Sequence, residues 1–158
     1  MACVLLGAVG IALPATQAAA ANKVRISALS DVTFGTIADF ASDSFRTQSV
    51  CVYSKSPPLD HYRITASGSG SGGSFELSSG TDNLPYEVEW SDVAGQATGT
   101  PLVAGQPLVA QQNTATIDDC SRGPATTGSL VVILRAAAVM GVTSGSYTGT
   151  LTLLVAPE

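Results

Sequence analysis

The side chains that could act in catalysis are few and widely spaced. His61 is the only histidine, and a general base needs a nucleophile and an orienting partner within reach. The sequence contains no G-x-S-x-G element that would present a nucleophilic serine. One histidine cannot form a zinc site alone. We therefore expect no catalytic residue and no metal site, and we place His61 on the surface.

Gly68, Gly70 and Gly73 fit the G-x-G-x-x-G pattern of dinucleotide-binding loops. Those loops bind a pyrophosphate because a helix N-terminus follows the glycines. Here residues 74–77 alternate as a strand, with Phe75 and Leu77 as the apolar positions. We interpret residues 67–73 as a hairpin loop and expect no cofactor.

Two acidic pairs contain the carboxylates that calcium ligands or an acid/base pair would need. Asp118-Asp119 and Glu87/Glu89 both lack the spacing of an EF-hand loop. Glu87 and Glu89 share one face of a strand, opposite Tyr86, Val88 and Trp90. We expect both glutamates to point to solvent.

The N-terminal 21 residues differ from the rest of the chain. An apolar run from Val4 to Pro14 is followed by small residues from Ala15 to Ala21. This pattern is typical of a secretory signal peptide, although no Lys or Arg precedes the run. It predicts a signal over residues 1–21 and a mature domain over residues 22–158, exported through the periplasm to the cell surface or secreted. The run is too short to span a bilayer.

Export makes a disulfide the simplest use of the two remaining cysteines, Cys51 and Cys120. A metal site would need more Cys or His nearby, and a redox pair would usually be spaced C-x-x-C. Chain-entropy arguments give such a cross-link a value of about 4 kcal/mol.

Charge and composition exclude some partners. Charged residues make up 12% of the 158 residues, and the net charge is −5. The seven basic residues are scattered, so no stripe can neutralise a phosphate backbone. We expect no nucleic acid partner and no membrane span in the mature chain.

Period-two alternation dominates the mature sequence and predicts short strands. They are expected over residues 23–34, 48–53, 62–66, 74–77, 86–91, 128–135 and 147–155. Residues 135–142 could form one helical turn or a simple connection. Gly/Ser-rich and polar turns separate the strands, which favours an all-β sandwich with one disulfide.

Four segments together resemble the spore coat protein U family, whose members are related to subunits of archaic chaperone–usher pili. They are Val32-Thr33-Phe34-Gly35-Thr36-Ile37, Cys51-Val52-Tyr53-Ser54, Leu84-Pro85-Tyr86-Glu87-Val88 and the closing stretch from Gly145 to Val155. The order and spacing of the segments are more specific than any one of them.

The resemblance implies an immunoglobulin-like, pilin-type sandwich that lacks its final strand. It also implies a PapD-like periplasmic chaperone, an outer-membrane usher and neighbouring pilus subunits as partners, with strands lent by donor-strand complementation. The groove-edge strand is then the one carrying Tyr147, Leu151, Leu153 and Val155. In agreement, the sequence stops at Glu158 with no further strand to close the sheet.

The N-terminal segment leaves two interpretations. Val24, Ile26, Ala28, Val32 and Phe34 alternate correctly for a donor strand. Alternatively the chain has no donor and sits at a fibre tip as a minor subunit, the interpretation we favour. The function expected is a non-enzymatic fimbrial subunit in surface adhesion or biofilm formation. The alternative is an autonomous secreted or surface domain that binds a ligand or carbohydrate.

Overall fold

The structure is a computed structural model that describes residues 22–158. The predicted signal peptide over residues 1–21 lies outside the described residues. Ten strands and one short helix make up the described part. The strands are β1 (Lys23–Ser27), β2 (Ser44–Lys55), β3 (Tyr62–Ser67), β4 (Glu76–Ser78), β5 (Asn83–Pro85), β6 (Glu87–Ser91), β7 (Thr100–Pro101), β8 (Pro107–Gln111), β9 (Gly128–Leu134) and β10 (Thr152–Pro157), and helix α1 is Ala136–Met140.

Two antiparallel sheets form the layers of a sandwich. The larger sheet has the order β1-β2-β9-β6-β7, and the smaller has the order β10-β3-β8. A separate ribbon pairs β4 with β5. The turn after β3 includes a 3-10 turn over Ser71–Gly73, so the glycine run connects two strands. The predicted hairpin is wrong, because β3 and β4 belong to different sheets and do not pair with each other.

The core lies between the two sheets and follows the alternation of the sequence. It contains Val50 and Val52 of β2, Tyr62, Ile64 and Ala66 of β3, Val88 and Trp90 of β6, and Leu130, Val132 and Leu134 of β9. The rings of Tyr62 and Trp90 meet edge to face with centroids 6.4 Å apart. Burial raises the pKa of Tyr62 far above its usual value. The fold is an all-β, immunoglobulin-like sandwich, as predicted.

Strand β9 is buried on both faces, which explains its continuous apolar run. On the outer face, a loop over residues 92–99 covers it. Ser129 Oγ donates to the carbonyl of Val93 at 2.9 Å and accepts from the amide of Gln96 at 3.0 Å. The predicted strand over residues 128–135 is present as β9, a central strand that pairs with both β2 and β6.

The Cys51–Cys120 disulfide is present, as predicted. Cys51 alternates with the core residues Val50 and Val52, so its side chain lies on the outer face of the sheet. There it packs with Cys120 and Ala115 in a second small cluster, with Tyr53 against it. The cross-link holds the loop between β8 and β9 against β2.

A tyrosine corner precedes the last strand. Tyr147 Oη donates to the carbonyl of Thr143 at 2.7 Å, an arrangement that recurs in immunoglobulin-like sandwiches. Asp82 Oδ2 accepts from the amide of Thr143 at 3.0 Å and from its hydroxyl at 2.5 Å. These bonds hold the pKa of Asp82 below its usual value.

The largest errors in the predicted strand bounds occur at two strands. The strand over residues 23–34 ends at Ser27, because Ala28 has φ = 63° and turns the chain away from the ladder. The strand over residues 147–155 begins only at Thr152. Residues 147–151 do not belong to β10. Within them, Thr148 forms an isolated bridge to Ser78, next to the tyrosine corner.

Candidate functional site

Strand β10 leaves one of its edges unpaired. It is hydrogen-bonded to β3 from Thr152 opposite Ser67 to Pro157 opposite Tyr62. Within residues 22–158, no strand pairs with its other side. An unpaired edge presents a row of backbone N–H and C=O groups to which another extended chain can add.

Strand β1 is the corresponding edge of the larger sheet. Its five residues pair with β2, from Lys23 opposite Lys55 to Ser27 opposite Cys51. Its other side has no strand partner in the described part of the chain. β1 also lies beside β10. The unpaired edges of the two sheets therefore adjoin, and we call the strip formed by β1 and β10 the open edge.

The core-facing side chains of the open edge are apolar and only half covered. Ile26 of β1, Leu153 and Val155 of β10, and Leu151 just before β10 pack against the core but remain partly exposed. Between them, Thr150, Thr152 and Leu154 are exposed, so exposed and half-covered side chains alternate along this stretch. Half-covered apolar side chains between two free backbone edges suit an extended strand with alternating apolar residues.

The segment between β1 and β2 follows the open edge in sequence and does not form a strand. Phe34 and Ile37 are half-buried and pack against the core. The segment is fastened by two side chains of β2. Arg46 donates to the carbonyls of Thr33 and Phe34, and Gln48 bonds to Ser30. Of the five donor candidates, Val24 and Ile26 lie in β1, Ala28 and Val32 are exposed, and Phe34 is half-buried.

An ion pair also fastens β1 to its own domain. Lys23 Nζ bonds to Asp118 Oδ2 in the loop that carries Cys120. The Lys23 ammonium lowers the pKa of the Asp118 carboxyl, first through this hydrogen bond. The start of β1 is therefore linked both to β2 and to the loop held by the disulfide.

The other residues singled out for chemistry have partners within their own domain. His61 is half-buried, and its carbonyl accepts bonds from Ser54 Oγ and the amide of Glu158. Glu87 is exposed and pairs with Arg135 at 2.5 Å, as expected for a solvated face. Glu89 is half-buried instead, because Oε2 accepts the amide of Gly99 at 2.8 Å. The glutamates thus have structural partners.

No group of three or more His, Cys, Asp or Glu residues within 22–158 is arranged to hold a metal ion. No helix among those residues is long and apolar enough to cross a bilayer.

Sequence analysis missed Arg46, Gln48 and the Lys23–Asp118 pair. One signal was available for the first two. Ser44, Arg46 and Gln48 continue the parity of the buried residues Val50 and Val52, so the alternation places polar side chains on the inner face. Gln48 is half-buried and Arg46 is exposed, and residues 30–34 supply hydrogen-bond partners to both.

The fold resembles that of two solved structures. One is a chain of the CsuC–CsuE chaperone–tip adhesion subunit pre-assembly complex from archaic chaperone-usher Csu pili of Acinetobacter baumannii, at 18% identity and a TM-score of 0.47. The other belongs to a chaperone–tip adhesin complex of CFA/I fimbriae biogenesis, at 18% identity and a TM-score of 0.52.

Each match covers 85% of this chain but only 39% and 42% of the matched chains. The chain thus spans about two fifths of the length of those structures. No protein-family model and no curated protein matches the sequence.

Proposed function

We propose that this chain is a structural subunit of a chaperone–usher pilus and that the open edge receives a donor strand. The observation that carries the proposal is the adjacency of two unpaired edges, β1 and β10, with half-covered apolar side chains between them. Such an edge is a pairing hazard in a free monomer, and a borrowed strand would remove the hazard by hydrogen bonding to the free backbone groups.

The fold likeness to a chain of a chaperone–tip adhesin complex supports this assignment, as do the four sequence segments that resemble the spore coat protein U family. The partners proposed are a PapD-like chaperone, an outer-membrane usher and neighbouring subunits. The route is export through the periplasm to a surface fimbrium, with a role in adhesion or biofilm formation and without enzymatic activity.

Within a fibre, we propose that residues 22–34 act in this chain's own domain and not as a donor. β1 is paired with β2 over five residues, and Lys23 is bonded to Asp118. Releasing the strand would break these bonds and uncover Ile26. This supports the tip or minor-subunit interpretation over a donor role for Val24, Ile26, Ala28, Val32 and Phe34.

The test is to supply a strand in the same chain. A strand of alternating Thr and Val, joined after Glu158 by a Gly/Ser linker, should raise the temperature of thermal unfolding and slow hydrogen exchange in β10. A matched extension of the same composition with a central proline cannot form a continuous ladder and should give neither effect. Equal unfolding temperatures for the original and both extended proteins would contradict the proposal and favour an autonomous ligand-binding sandwich.

Co-expression gives a second readout. A subunit with an open edge should accumulate in the periplasm only with a PapD-like chaperone, whereas an autonomous binding domain should accumulate equally well without one.

A further inference from the structure

The segment between β1 and β2 has strand-forming residues but no strand partner. Val32, Phe34 and Ile37 favour extended structure. Yet within residues 22–158 no backbone-to-backbone hydrogen bond involves residues 31–40. The segment therefore has residues that favour a strand, but it has no neighbouring strand to pair with.

Gln48 takes the place of such a neighbour at Ser30. Its Oε1 accepts the backbone amide of Ser30 at 2.9 Å, and its Nε2 donates to the carbonyl of Ser30 at 3.1 Å. The Ser30 hydroxyl adds a third bond to Oε1 at 3.2 Å. One side-chain amide thus bonds both backbone groups of one residue, as a paired strand would.

Arg46 fixes the next part of the segment. Its Nε donates to the carbonyl of Thr33 at 3.0 Å, and its Nη2 donates to the carbonyl of Phe34 at 2.9 Å. The guanidinium carbon lies 5.3 Å from the centre of the Phe34 ring, within the range of a cation–π contact. The planar fork of arginine can serve two successive carbonyls in this way, which a lysine cannot.

These bonds use a defined set of backbone groups and leave others available. The carbonyls of Thr33 and Phe34 and both groups of Ser30 are taken. The amides of Val32, Thr33 and Phe34 have no partner within the described residues. The segment is held in place, and these three backbone amides can still donate hydrogen bonds to an added strand.

We propose that Arg46 and Gln48 are positioning residues that hold Ser30–Phe34 as a preformed pairing edge for the incoming strand. The segment becomes a strand when that strand binds. This inference rests on the proposed function and deepens it, because it adds a second pairing edge to β10 and assigns two side chains to its support. Preorganisation of this kind lowers the ordering cost of binding.

Hydrogen exchange on the protein extended after Glu158 by the alternating Thr/Val strand tests the proposal. Amides of residues 31–37 should exchange about tenfold more slowly in the extended protein than in the original one. Arg46→Met and Gln48→Met in the extended protein should each remove most of that protection while the amides of β10 stay protected. Arg46→Lys keeps the positive charge but loses the planar pair of donors, so it should reduce the protection of residues 31–37 as much as Arg46→Met does.

Arg122→Met, on the loop that carries Cys120, is the matched control and should leave protection unchanged. If a methionine variant fails to fold, Gln48→Glu replaces it: the carboxylate keeps the acceptor for the Ser30 amide but loses the donor to its carbonyl, and protection should fall partly.

Two results would overturn the inference while the proposed function stands. In the first, the amides of β10 gain protection in the extended protein but those of residues 31–37 do not. In the second, both regions gain protection and the Arg46 and Gln48 variants retain all of it. If neither region gains protection, the proposed function fails and the inference fails with it.

Discussion

The hydroxyl of Thr127 acts as a backbone partner for Val52. Its Oγ1 accepts the amide of Val52 at 2.8 Å and donates to the carbonyl of Val52 at 2.9 Å. Both residues are buried, and Thr127 directly precedes β9. One side chain thus extends the bonding between these strands to Val52, two residues beyond Val50, where the ladder ends opposite Gly128.

Replacement of Thr127 by Val should therefore destabilise the protein. The change keeps the shape of the side chain but leaves the buried amide and carbonyl of Val52 without partners, at a cost of about 1–3 kcal/mol per unsatisfied group. Urea unfolding measures the loss. Thr127→Ser keeps the hydroxyl and is the control, expected to lose clearly less; equal losses for the two variants would show that the hydrogen bonds are not the cause.

Gly128 should tolerate no side chain. A Cβ there would lie 2.9 Å from Cζ2 of Trp90 and 3.0 Å from the carbonyl oxygen of Ser91, and the Trp90 ring is fully buried and cannot move aside. Gly128→Ala is expected to lower the free energy of unfolding by about 1–3 kcal/mol. At Gly145 the nearest atom would be 3.6 Å away, so Gly145→Ala should be close to neutral. A neutral Gly128→Ala would mean that the Trp90 ring is not fixed there.

Leu153 and its neighbour Leu154 give a test of which face of β10 is covered. Leu153 packs against the core, whereas Leu154 is 64% exposed. Leu153→Asp places a charge in a largely apolar setting and should cost several kcal/mol or prevent folding. Leu154→Asp should change stability by about 0.5 kcal/mol or less. Thermal unfolding measures both variants. Similar losses of stability for the two would contradict the placement of Leu153 on the core side and Leu154 on the exposed side of β10.

The disulfide should be formed in the exported protein, so titration with a thiol reagent in denaturant should detect no free thiol in residues 22–158. Replacement of Cys51 and Cys120 together by Ala should lower stability by about 2–4 kcal/mol. Because the cross-link holds the loop with Asp118 beside Lys23, faster hydrogen exchange should appear first in β1. Exchange that speeds up equally in β1 and β10 would argue against this local effect.

Asp82 should make stability depend on pH at the acid end. Its bonds from Thr143 hold its pKa below the usual value of about 3.9. A depressed folded-state pKa contributes stability that is present above the unfolded pKa and is lost as the pH falls through the folded pKa. Asp82→Asn should therefore be less stable than the original at neutral pH, and the difference should shrink below about pH 4. Unfolding in urea at several pH values measures it.

The same change at Asp31, an exposed residue outside this network, serves as the control. A difference between Asp82→Asn and the original protein that stays constant down to the acid limit would show that Asp82 is not the titrating group.

Sequence patterns predicted the strands that are buried on at least one face. Burial against the core requires apolar side chains, and it produces the apolar run from Leu130 to Leu134 and the alternation at Tyr62, Ile64 and Ala66. Both predicted strands are present. The disulfide followed from the predicted export together with the two cysteines left after the signal. Helix α1 occupies the stretch for which a single helical turn had been one of two options.

Elements that depend on a partner elsewhere in the chain were not predicted. Strands β7 and β8 are short, proline-containing and mostly exposed, so they carry little alternation. Conversely, Val32 to Phe34 carries a clear strand pattern but has no neighbour to pair with. The roles of Arg46 and Gln48 depend on side chains meeting a segment 12 to 18 residues away, a proximity that local periodicity does not encode.

The Cys51–Cys120 bond also limits how far the molecule can be stretched. The two cysteines are 69 residues apart in sequence, and the bond brings their Cα atoms to within 6.1 Å. A fully extended chain spans about 3.3–3.6 Å per residue, so the cross-link removes roughly 220–240 Å from the length available under tension. Pulled at its two ends, the protein can lengthen only through the residues outside the bond. Strands β3 to β8, which lie inside the closed loop, bear none of the covalent load.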